Sequence, residues 1–176
     1  MNAFGFVGKS GCGKTTLICK LIRYFSTEGF KIGTFKHAHK GFQLDYPGKD
    51  SYRFKDSGAA AVCLISSTQS AMIIDNQISE EMVFQKFFEF MKPFGYDFIF
   101  VEGLKQSDLL PKFCFVERLE EAGKILEGLV NCVGVITKTK ETKDFWECRP
   151  VFFRDDVAAL GSFIRHWDPT VPLRKK

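Results

Sequence analysis

The residues with the clearest chemistry in this chain lie in one glycine-rich stretch near its start. It reads Gly8-Lys9-Ser10-Gly11-Cys12-Gly13-Lys14-Thr15 and matches the phosphate-binding (Walker A) pattern G-x-x-x-x-G-K-[ST] at every defined position. The glycines let the backbone curl so that successive N–H groups point at phosphate oxygens. Lys14 is predicted to contact the β- and γ-phosphates of a nucleotide, and the Thr15 hydroxyl to bind Mg²⁺. A predicted strand precedes the stretch and a predicted helix follows it, which is the context that such a loop requires.

A second acidic group is expected near the metal or the attacking water. The apolar run 98–101 predicts a buried strand, and Glu102 and Gly103 follow it directly. Ligands of open α/β sheets bind at the carboxyl ends of the strands, so Glu102 is predicted to face the phosphates as a catalytic and metal-binding residue. The alternative is an ordinary acidic residue at the start of a loop. Asp97, at the other end of the run, is predicted to be structural.

Two polar segments follow the second predicted strand. Lys36, His37 and His39 belong to a segment dense in cations and imidazoles, for which anion contact, metal binding and simple solvation all remain open. The stretch 45–51, DYPGKDS, places charged residues around a rigid Pro-Gly turn. That arrangement suits a switch-like loop beside a nucleotide, and a turn followed by a helix cap is the alternative.

The elements that must position these groups alternate between strands and helices. Strands are predicted at 3–7, 30–35, 60–65, 71–74, 98–101, 113–116, 132–136 and 151–153, and helices at 14–25, 50–56, 79–91, 119–129 and 155–167. Asp50 or Ser51 is expected to cap the second of these helices, Ser79 the third, and an aspartate the last. Because the strongest strands are continuous apolar runs, the pattern favours an α/β fold of the P-loop NTPase type, a mainly parallel sheet flanked by helices. Residues 1–168 are predicted to form a single nucleotide-binding domain, and 169–176 a frayed basic tail.

Length and composition exclude several classes of protein. The 176 residues are 45% hydrophobic and 26% charged, as is usual for a soluble globular domain. No apolar run is long enough to span a membrane and no signal-peptide pattern begins the chain, so a cytoplasmic location is expected. The net charge of +4 suits anionic ligands. The sequence lacks the concentrated basic stripe that would indicate nucleic-acid binding. The six cysteines form no CxxC pair and are expected to be small buried hydrophobes in a reducing compartment.

In their order along the chain, these motifs resemble those of the MobB family, the molybdopterin-guanine dinucleotide biosynthesis adaptor proteins. The resemblance is carried by the P-loop ending GKTTL, the Lys36-His37-x-His39 segment, the D-x-PGKDS stretch, Gly58-Ala59 and Val101-Glu102-Gly103-x-Lys105. It is dense from residue 4 to about residue 105 and weaker beyond. The D-x-PGKDS stretch is much more specific than the P-loop alone.

The resemblance implies a dimeric GTP-binding protein with weak GTPase activity, which assists the enzyme that attaches GMP to molybdopterin. The implied cofactors are GTP and Mg²⁺. The implied partners are the molybdenum cofactor guanylyltransferase, a second copy of the chain and, as a further candidate, molybdopterin itself. The residues to which the resemblance gives binding roles are Gly11, Gly13, Lys14, Thr15 and Thr16 for phosphate and magnesium, Glu102 for the metal or water, and His37, Lys49 and Asp50 for an extended site.

Base preference and the catalytic cation stay open on chemical grounds. The stretch 137–140, TKTK, resembles the guanine-reading T-K-x-D motif of GTPases but lacks the aspartate that would bind the guanine edge. Lys9 resembles the extra lysine that dimeric P-loop ATPases extend to the partner's nucleotide, and it is a candidate catalytic residue. The alternative to an adaptor is a P-loop small-molecule kinase or ATPase. The arginine-rich lid that a kinase normally carries has no counterpart among the few arginines here.

Overall fold

The computed structural model of the chain describes residues 2–39, 41–75, 78–140 and 145–170. In chain order the elements are β1 (Asn2–Val7), α1 (Lys14–Thr27), β2 (Ile32–Lys36), α2 (Asp50–Asp56), β3 (Ala61–Ile65), β4 (Ser70–Ile74), α3 (Glu80–Met91), β5 (Phe98–Glu102), β6 (Lys112–Val116), α4 (Ala122–Leu126), β7 (Cys132–Thr137), β8 (Phe145–Trp146), β9 (Arg149–Phe153) and α5 (Val157–Arg165). None of the described helices combines the length and hydropathy needed to cross a bilayer. By internal contacts the chain divides into two compact units, one formed by residues 1–37 and 91–176 and the other by 38–90. The end of the predicted basic tail, 171–176, lies outside the described residues.

A seven-stranded sheet forms the larger unit, in the order β2-β5-β1-β6-β7-β9-β8. All neighbouring strands are parallel except the short β8, which pairs antiparallel to β9 at one edge. The prediction of a P-loop NTPase-like α/β fold with a mainly parallel sheet is confirmed. β1 lies inside the sheet between β5 and β6, and in this class of sheet ligands bind outside the carboxyl ends of such strands.

Aromatic side chains fill the core of the larger unit. Phe6 is fully buried, and its ring lies 5.7 Å from that of Phe100 and 5.6 Å from that of Phe113, measured between centroids. Phe25 of α1 packs on Phe98 of β5 with centroids 4.7 Å apart. Aromatic pairs at such distances stabilise the fold beyond the area that they bury. The phenylalanines therefore tie α1 to β5, and β1 to both β5 and β6.

Helices α1 and α5 pack in parallel on this sheet. Moving along both helices in the same direction, Lys20 pairs with Asp155, Tyr24 meets Gly161, and Arg165 pairs with Glu28. A Cβ at Gly161 would lie 2.5 Å from the Tyr24 ring, so the close approach of the two helices requires glycine there. This packing places the chain segment before α5 beside the first half of α1.

Helix starts test three predicted caps. The Ser79 hydroxyl accepts a backbone N–H at 3.3 Å before α3, and the Asp156 carboxylate accepts one at 3.0 Å before α5, so both caps are confirmed. A cap of α2 by Asp50 or Ser51 is wrong. Lys49 occupies the cap position without a side-chain hydrogen bond, and Asp50 is already the first helical residue. There its negative charge favours the positive end of the helix dipole instead.

The largest departures from the predicted elements are in one helix and one short strand. The helix predicted at 119–129 is a 3-10 turn, Leu119–Glu121, followed by α4, and the chain leaves the helical region before Gly128, whose φ is +73°. Glycine lowers helix propensity, which explains the early end. Strand β8 was not predicted, because two residues are too short to show any periodicity.

The smaller unit contains α2, a two-stranded antiparallel ribbon of β3 and β4, and most of α3. Residues opposite one another in the ribbon share a face, so Cys63, Ile65, Met72 and Ile74 lie on the same side. All four are exposed; on the other side Val62 is buried, whereas Leu64 is exposed. We call the side carrying Cys63, Ile65, Met72 and Ile74 the open face of the ribbon. These strands thus lie outside the parallel sheet.

The expectation that the cysteines are mostly buried is wrong. Cys114 and Cys132 are buried, Cys12 and Cys148 are half-buried, and Cys19 and Cys63 are exposed; all six are free thiols. Burial, assisted by the neighbouring Cys132, raises the pKa of the Cys114 thiol to about 12. Cys114 therefore behaves as a small apolar side chain. The exposed thiols lie on the outer side of α1 and on the open face of the ribbon. Their neighbours in sequence are mostly apolar, so the sequence does not distinguish these positions from buried ones.

Candidate nucleotide site

The stretch 8–15 connects β1 to α1 as a glycine-rich loop. Gly8, Gly11 and Gly13 have φ angles of +150°, +75° and +100°, which favour glycine. A Cβ at Gly8 would lie 2.8 Å from the Cβ of Phe115, so the loop passes β6 too closely for a side chain. Gly13 occupies the cap position of α1, and no side chain among the described residues caps this helix. Its first N–H groups and its positive dipole end are therefore available to an anion.

The Lys14 ammonium lies within the loop. It donates hydrogen bonds to the carbonyl oxygens of Gly8, at 3.1 Å, and of Lys9, at 2.7 Å, and lies 3.6 Å from the Cys12 sulfur. Ser10 and Thr16, the other predicted phosphate contacts, are exposed. A positive charge is thereby held beside the backbone donors of the loop, which is the arrangement that favours phosphate binding.

Thr15 at the start of α1 meets Glu102 at the end of β5. The Thr15 hydroxyl donates to the Glu102 carboxylate at 2.7 Å, and the Lys36 ammonium lies 3.5 Å from the same Oε2 atom. Strand register explains this meeting, since Phe6 of β1 and Lys36 of β2 both pair with Glu102 of β5. The Glu102 side chain is only 17% exposed, so its charge acts in a partly desolvated place.

The oxygen atoms of this cluster suit a magnesium ion. Mg²⁺ prefers oxygen ligands and commonly takes one or two from the protein, with nucleotide phosphates and water completing an octahedron. The Thr15 hydroxyl and the Glu102 carboxylate offer oxygen atoms of this kind. No group of three or more His, Cys, Asp or Glu residues in the described ranges could hold a metal on its own. The donor set therefore fits Mg²⁺ that arrives together with a nucleotide.

The remaining residues of the predicted extended site fall in two places. The His37 N–H donates to the Glu102 carbonyl at 2.8 Å, so His37 directly adjoins the end of β5. Gly103 has a φ of +107°, and a Cβ there would lie 2.7 Å from the Cβ of His37. Lys49 and Asp50 begin α2 in the smaller unit. Their predicted roles in ligand binding stay predictions.

Lys9 and the TKTK stretch both carry ion pairs. The Lys9 ammonium is 3.9 Å from the Glu121 carboxylate, with its side chain 74% exposed. Lys138 lies 3.9 Å from Glu117, and the preceding Thr137 is fully buried at the end of β7. The TKTK stretch therefore begins at the same edge of the sheet as the P-loop.

One basic residue beside the P-loop escaped the sequence-based prediction. Arg154 follows β9, and its Nη1 atom lies 3.6 Å from the position that a Cβ would take at Gly13. Asp155 lies next to it and accepts a hydrogen bond from Lys20 of α1 at 2.6 Å, which holds the pKa of the Asp155 carboxyl below its usual value. In the sequence, the Arg-Asp-Asp run before the last helix resembles an ordinary helix start, so Arg154 did not stand out as a site residue. The available signal was its position directly after a predicted strand of a parallel sheet.

Known proteins resemble this chain in sequence and in fold. The model of a family described as "MobB: Molybdopterin guanine dinucleotide synthesis protein B" matches residues 3–138. The chain belongs to the MobB family. It is 36% identical over 162 residues to the molybdopterin-guanine dinucleotide biosynthesis adapter protein of Escherichia coli (strain K12), covering 92% of this chain and 90% of that protein. The protein with the same description from Haemophilus influenzae is 34% identical over 165 residues, with coverage of 93% and 87%.

Solved MobB structures share the fold. The crystal structure of Bacillus subtilis MobB superposes with a TM-score of 0.76 at 22% identity, covering 96% of this chain and 99% of that one. The resemblance to the MobB family that the motifs predicted is thus confirmed. The matched stretch 3–138 includes the P-loop and Glu102 and ends before Arg154.

Proposed function

We propose that this MobB family chain is a GTP-binding adaptor in molybdenum cofactor biosynthesis, which assists the guanylyltransferase that attaches GMP to molybdopterin. The observation that carries the proposal is the contact of Thr15 with Glu102 beside a P-loop, in a chain 36% identical to a relative named as an adapter. A kinase or ATPase role finds no support among the relatives described above. Free thiols at all six cysteines support a cytoplasmic setting.

GTP and Mg²⁺ are the ligands of this site in our proposal. The loop N–H groups and Lys14 bind phosphate, while the Thr15 hydroxyl and Glu102 hold Mg²⁺ or its water. Hydrolysis is slow, because the residues assigned to the γ-phosphate do not include an arginine. Where an arginine acts on this phosphate, it raises the rate by roughly 10³ to 10⁵. Lys9 is the loop cation that acts there instead, from a second copy of the chain, and its ammonium lacks the planar fork of a guanidinium.

The adaptor role predicts a stimulated partner enzyme. Adding the protein to purified guanylyltransferase with molybdopterin, GTP and Mg²⁺ should raise the rate of molybdopterin guanine dinucleotide formation, measured by chromatography of the product. The Lys14→Ala variant, which lacks the phosphate contact, should not stimulate. Equal rates with and without the wild-type protein would contradict the adaptor role. Calorimetric titration of GTP and ATP, with and without Mg²⁺, decides the base preference in the same preparation.

We also infer that the protein forms a homodimer through the open face of the ribbon. Ile65 is 84% exposed there, Met72 45% and Ile74 43%. A two-stranded ribbon is marginally stable by itself, and a contiguous exposed apolar surface usually marks an interaction site. A second copy supplies an identical apolar face, as the two-fold interfaces of most homodimers do.

A lysine on this face should therefore separate the dimer. Met72→Lys is expected to convert the protein to a monomer in light scattering coupled to size exclusion, because a charge would be desolvated at the interface. Gln69→Lys adds the same charge in the polar turn of the same ribbon and should leave the dimer intact. A monomeric wild type, or a dimeric Met72→Lys variant, would place the interface elsewhere or remove it.

A further inference from the structure

We propose that Arg154 binds the α-phosphate of the nucleotide held by the P-loop. The inference rests on the proposed nucleotide site and adds to it a residue outside the stretch 3–138 that the family match covers. Three features support it: the position of Arg154 in the sheet, the contacts that orient its side chain, and the side of β1 on which it lies.

Arg154 stands at the carboxyl edge of the sheet, where ligands of this fold bind. Its N–H donates to the Thr137 carbonyl at 3.0 Å, which extends the pairing of β9 with β7 by one residue. From there the side chain reaches α1, and Nη1 lies 3.6 Å from the position of a Cβ at Gly13. A guanidinium at this distance is within reach of a group docked on the first turn of α1.

Asp155 and Lys20 orient the Arg154 side chain. The Arg154 Nε atom is 3.6 Å from Asp155 Oδ2, and the Lys20 ammonium donates to Asp155 Oδ1 at 2.6 Å. One carboxylate thus links Arg154 to the second turn of α1, and the parallel packing of α1 and α5 fixes that link. The contact uses the inner nitrogen of the guanidinium, and the side chain remains 35% exposed. A planar fork held in this way suits a phosphate, because it can donate two parallel hydrogen bonds.

The order of strands assigns the α-phosphate rather than the γ-phosphate. The Thr15–Glu102 contact lies on the β5 side of β1. Arg154 follows β9, which lies on the opposite side of β1, beyond β6 and β7. Mg²⁺ held by Thr15 and Glu102 would keep the β- and γ-phosphates on the β5 side of β1, so the α-phosphate and nucleoside would lie toward β9. Arg154 therefore meets a part of the ligand that GTP and GDP share.

The test compares ligands that differ only in their phosphates. GTP, GDP and guanosine are titrated calorimetrically, with Mg²⁺, into the wild type, Arg154→Ala and Arg154→Lys. Arg154→Ala should weaken GTP and GDP by the same factor, about tenfold, since a hydrogen bond to a charged group is lost in both complexes. Guanosine binding should not change. Arg154→Lys should recover part of the loss, because it keeps the charge without the fork.

Other outcomes overturn the assignment. A loss confined to GTP would place Arg154 at the γ-phosphate, a loss for guanosine would place it at the base, and unchanged affinities would leave it outside the site. Thermal unfolding of each variant checks that the fold persists, and Arg154→Lys preserves the ion pair if alanine unfolds the protein. If the wild type prefers ATP, the GTP proposal fails, whereas the same comparison with ATP, ADP and adenosine still decides the role of Arg154.

Discussion

Replacing Lys14 by alanine should abolish triphosphate binding while the fold survives. Among the residues that the structure describes, the Lys14 ammonium contacts only groups of its own loop, the carbonyl oxygens of Gly8 and Lys9 and the Cys12 sulfur, so its removal creates no core cavity. Each charge-assisted hydrogen bond to phosphate contributes about 1.5 to 3 kcal/mol. Losing two such contacts weakens binding by roughly 100-fold or more, so titration of GTP with Mg²⁺ should show no binding at concentrations that saturate the wild type.

A matched variant controls for the lost charge. Lys124 is an exposed lysine of α4, and Lys124→Ala lowers the net charge equally without touching the loop. It should bind GTP like the wild type. If Lys14→Ala bound GTP like the wild type too, the assignment of a phosphate-binding loop would be wrong. Equal unfolding temperatures for both variants and the wild type would show that the loss is one of ligand contact.

Replacing Glu102 by glutamine should slow hydrolysis by at least tenfold, equivalent to about 1.4 kcal/mol of barrier. Glutamine keeps the shape of the side chain and can still accept the hydrogen bond from Thr15, which is 2.7 Å long in the wild type. It removes the negative charge that would hold Mg²⁺ or orient the attacking water. GTP affinity should change less than the rate, because Lys14 and the loop N–H groups still bind the phosphates. Single-turnover phosphate release and GTP titration measure the two effects separately.

Asp97, at the opposite end of β5, provides the control for this strand. Its carboxylate accepts the backbone N–H of Lys31 at 2.7 Å, far from the carboxyl edge, which agrees with its predicted structural role. Asp97→Asn should leave the hydrolysis rate unchanged. Equal hydrolysis by the wild type and Glu102→Gln would reduce Glu102 to an ordinary acidic residue at the end of a strand.

Local patterns were sufficient where a structure depends on a few consecutive residues. Gly8, Gly11 and Gly13 all adopt positive φ angles because the loop has to curl, and their spacing with Lys14 and Thr15 predicted this from the motif. The continuous apolar run 98–101 predicted a strand buried on both faces, and all four of its residues are buried. Both predictions rest on backbone conformation and burial, which the residue types themselves express.

Patterns failed where the outcome depends on what a segment packs against. The runs 60–65 and 71–74 are as apolar as core strands, yet they form a ribbon with an exposed face. An apolar run predicts a strand, but it does not show which element packs against that strand. Cys19 and Cys63 are exposed for the same reason. Strand β8 is defined by its pairing with β9, and its two residues are too few to show a strand pattern in the sequence.

Short stretches of neighbouring residues were enough to predict the phosphate-binding loop, the alternation of strands and helices, and membership of the MobB family. The tertiary structure decided which distant groups meet. Thr15 and Glu102 are 87 positions apart, Lys36 and Glu102 are 66 apart, and Arg154 reaches Gly13 from the far end of the chain. These meetings depend on strand order and register, because the carboxyl ends of parallel strands converge on one edge only after the sheet has formed. Pairing between strands is a non-local property, and a pattern read over a few residues does not carry it.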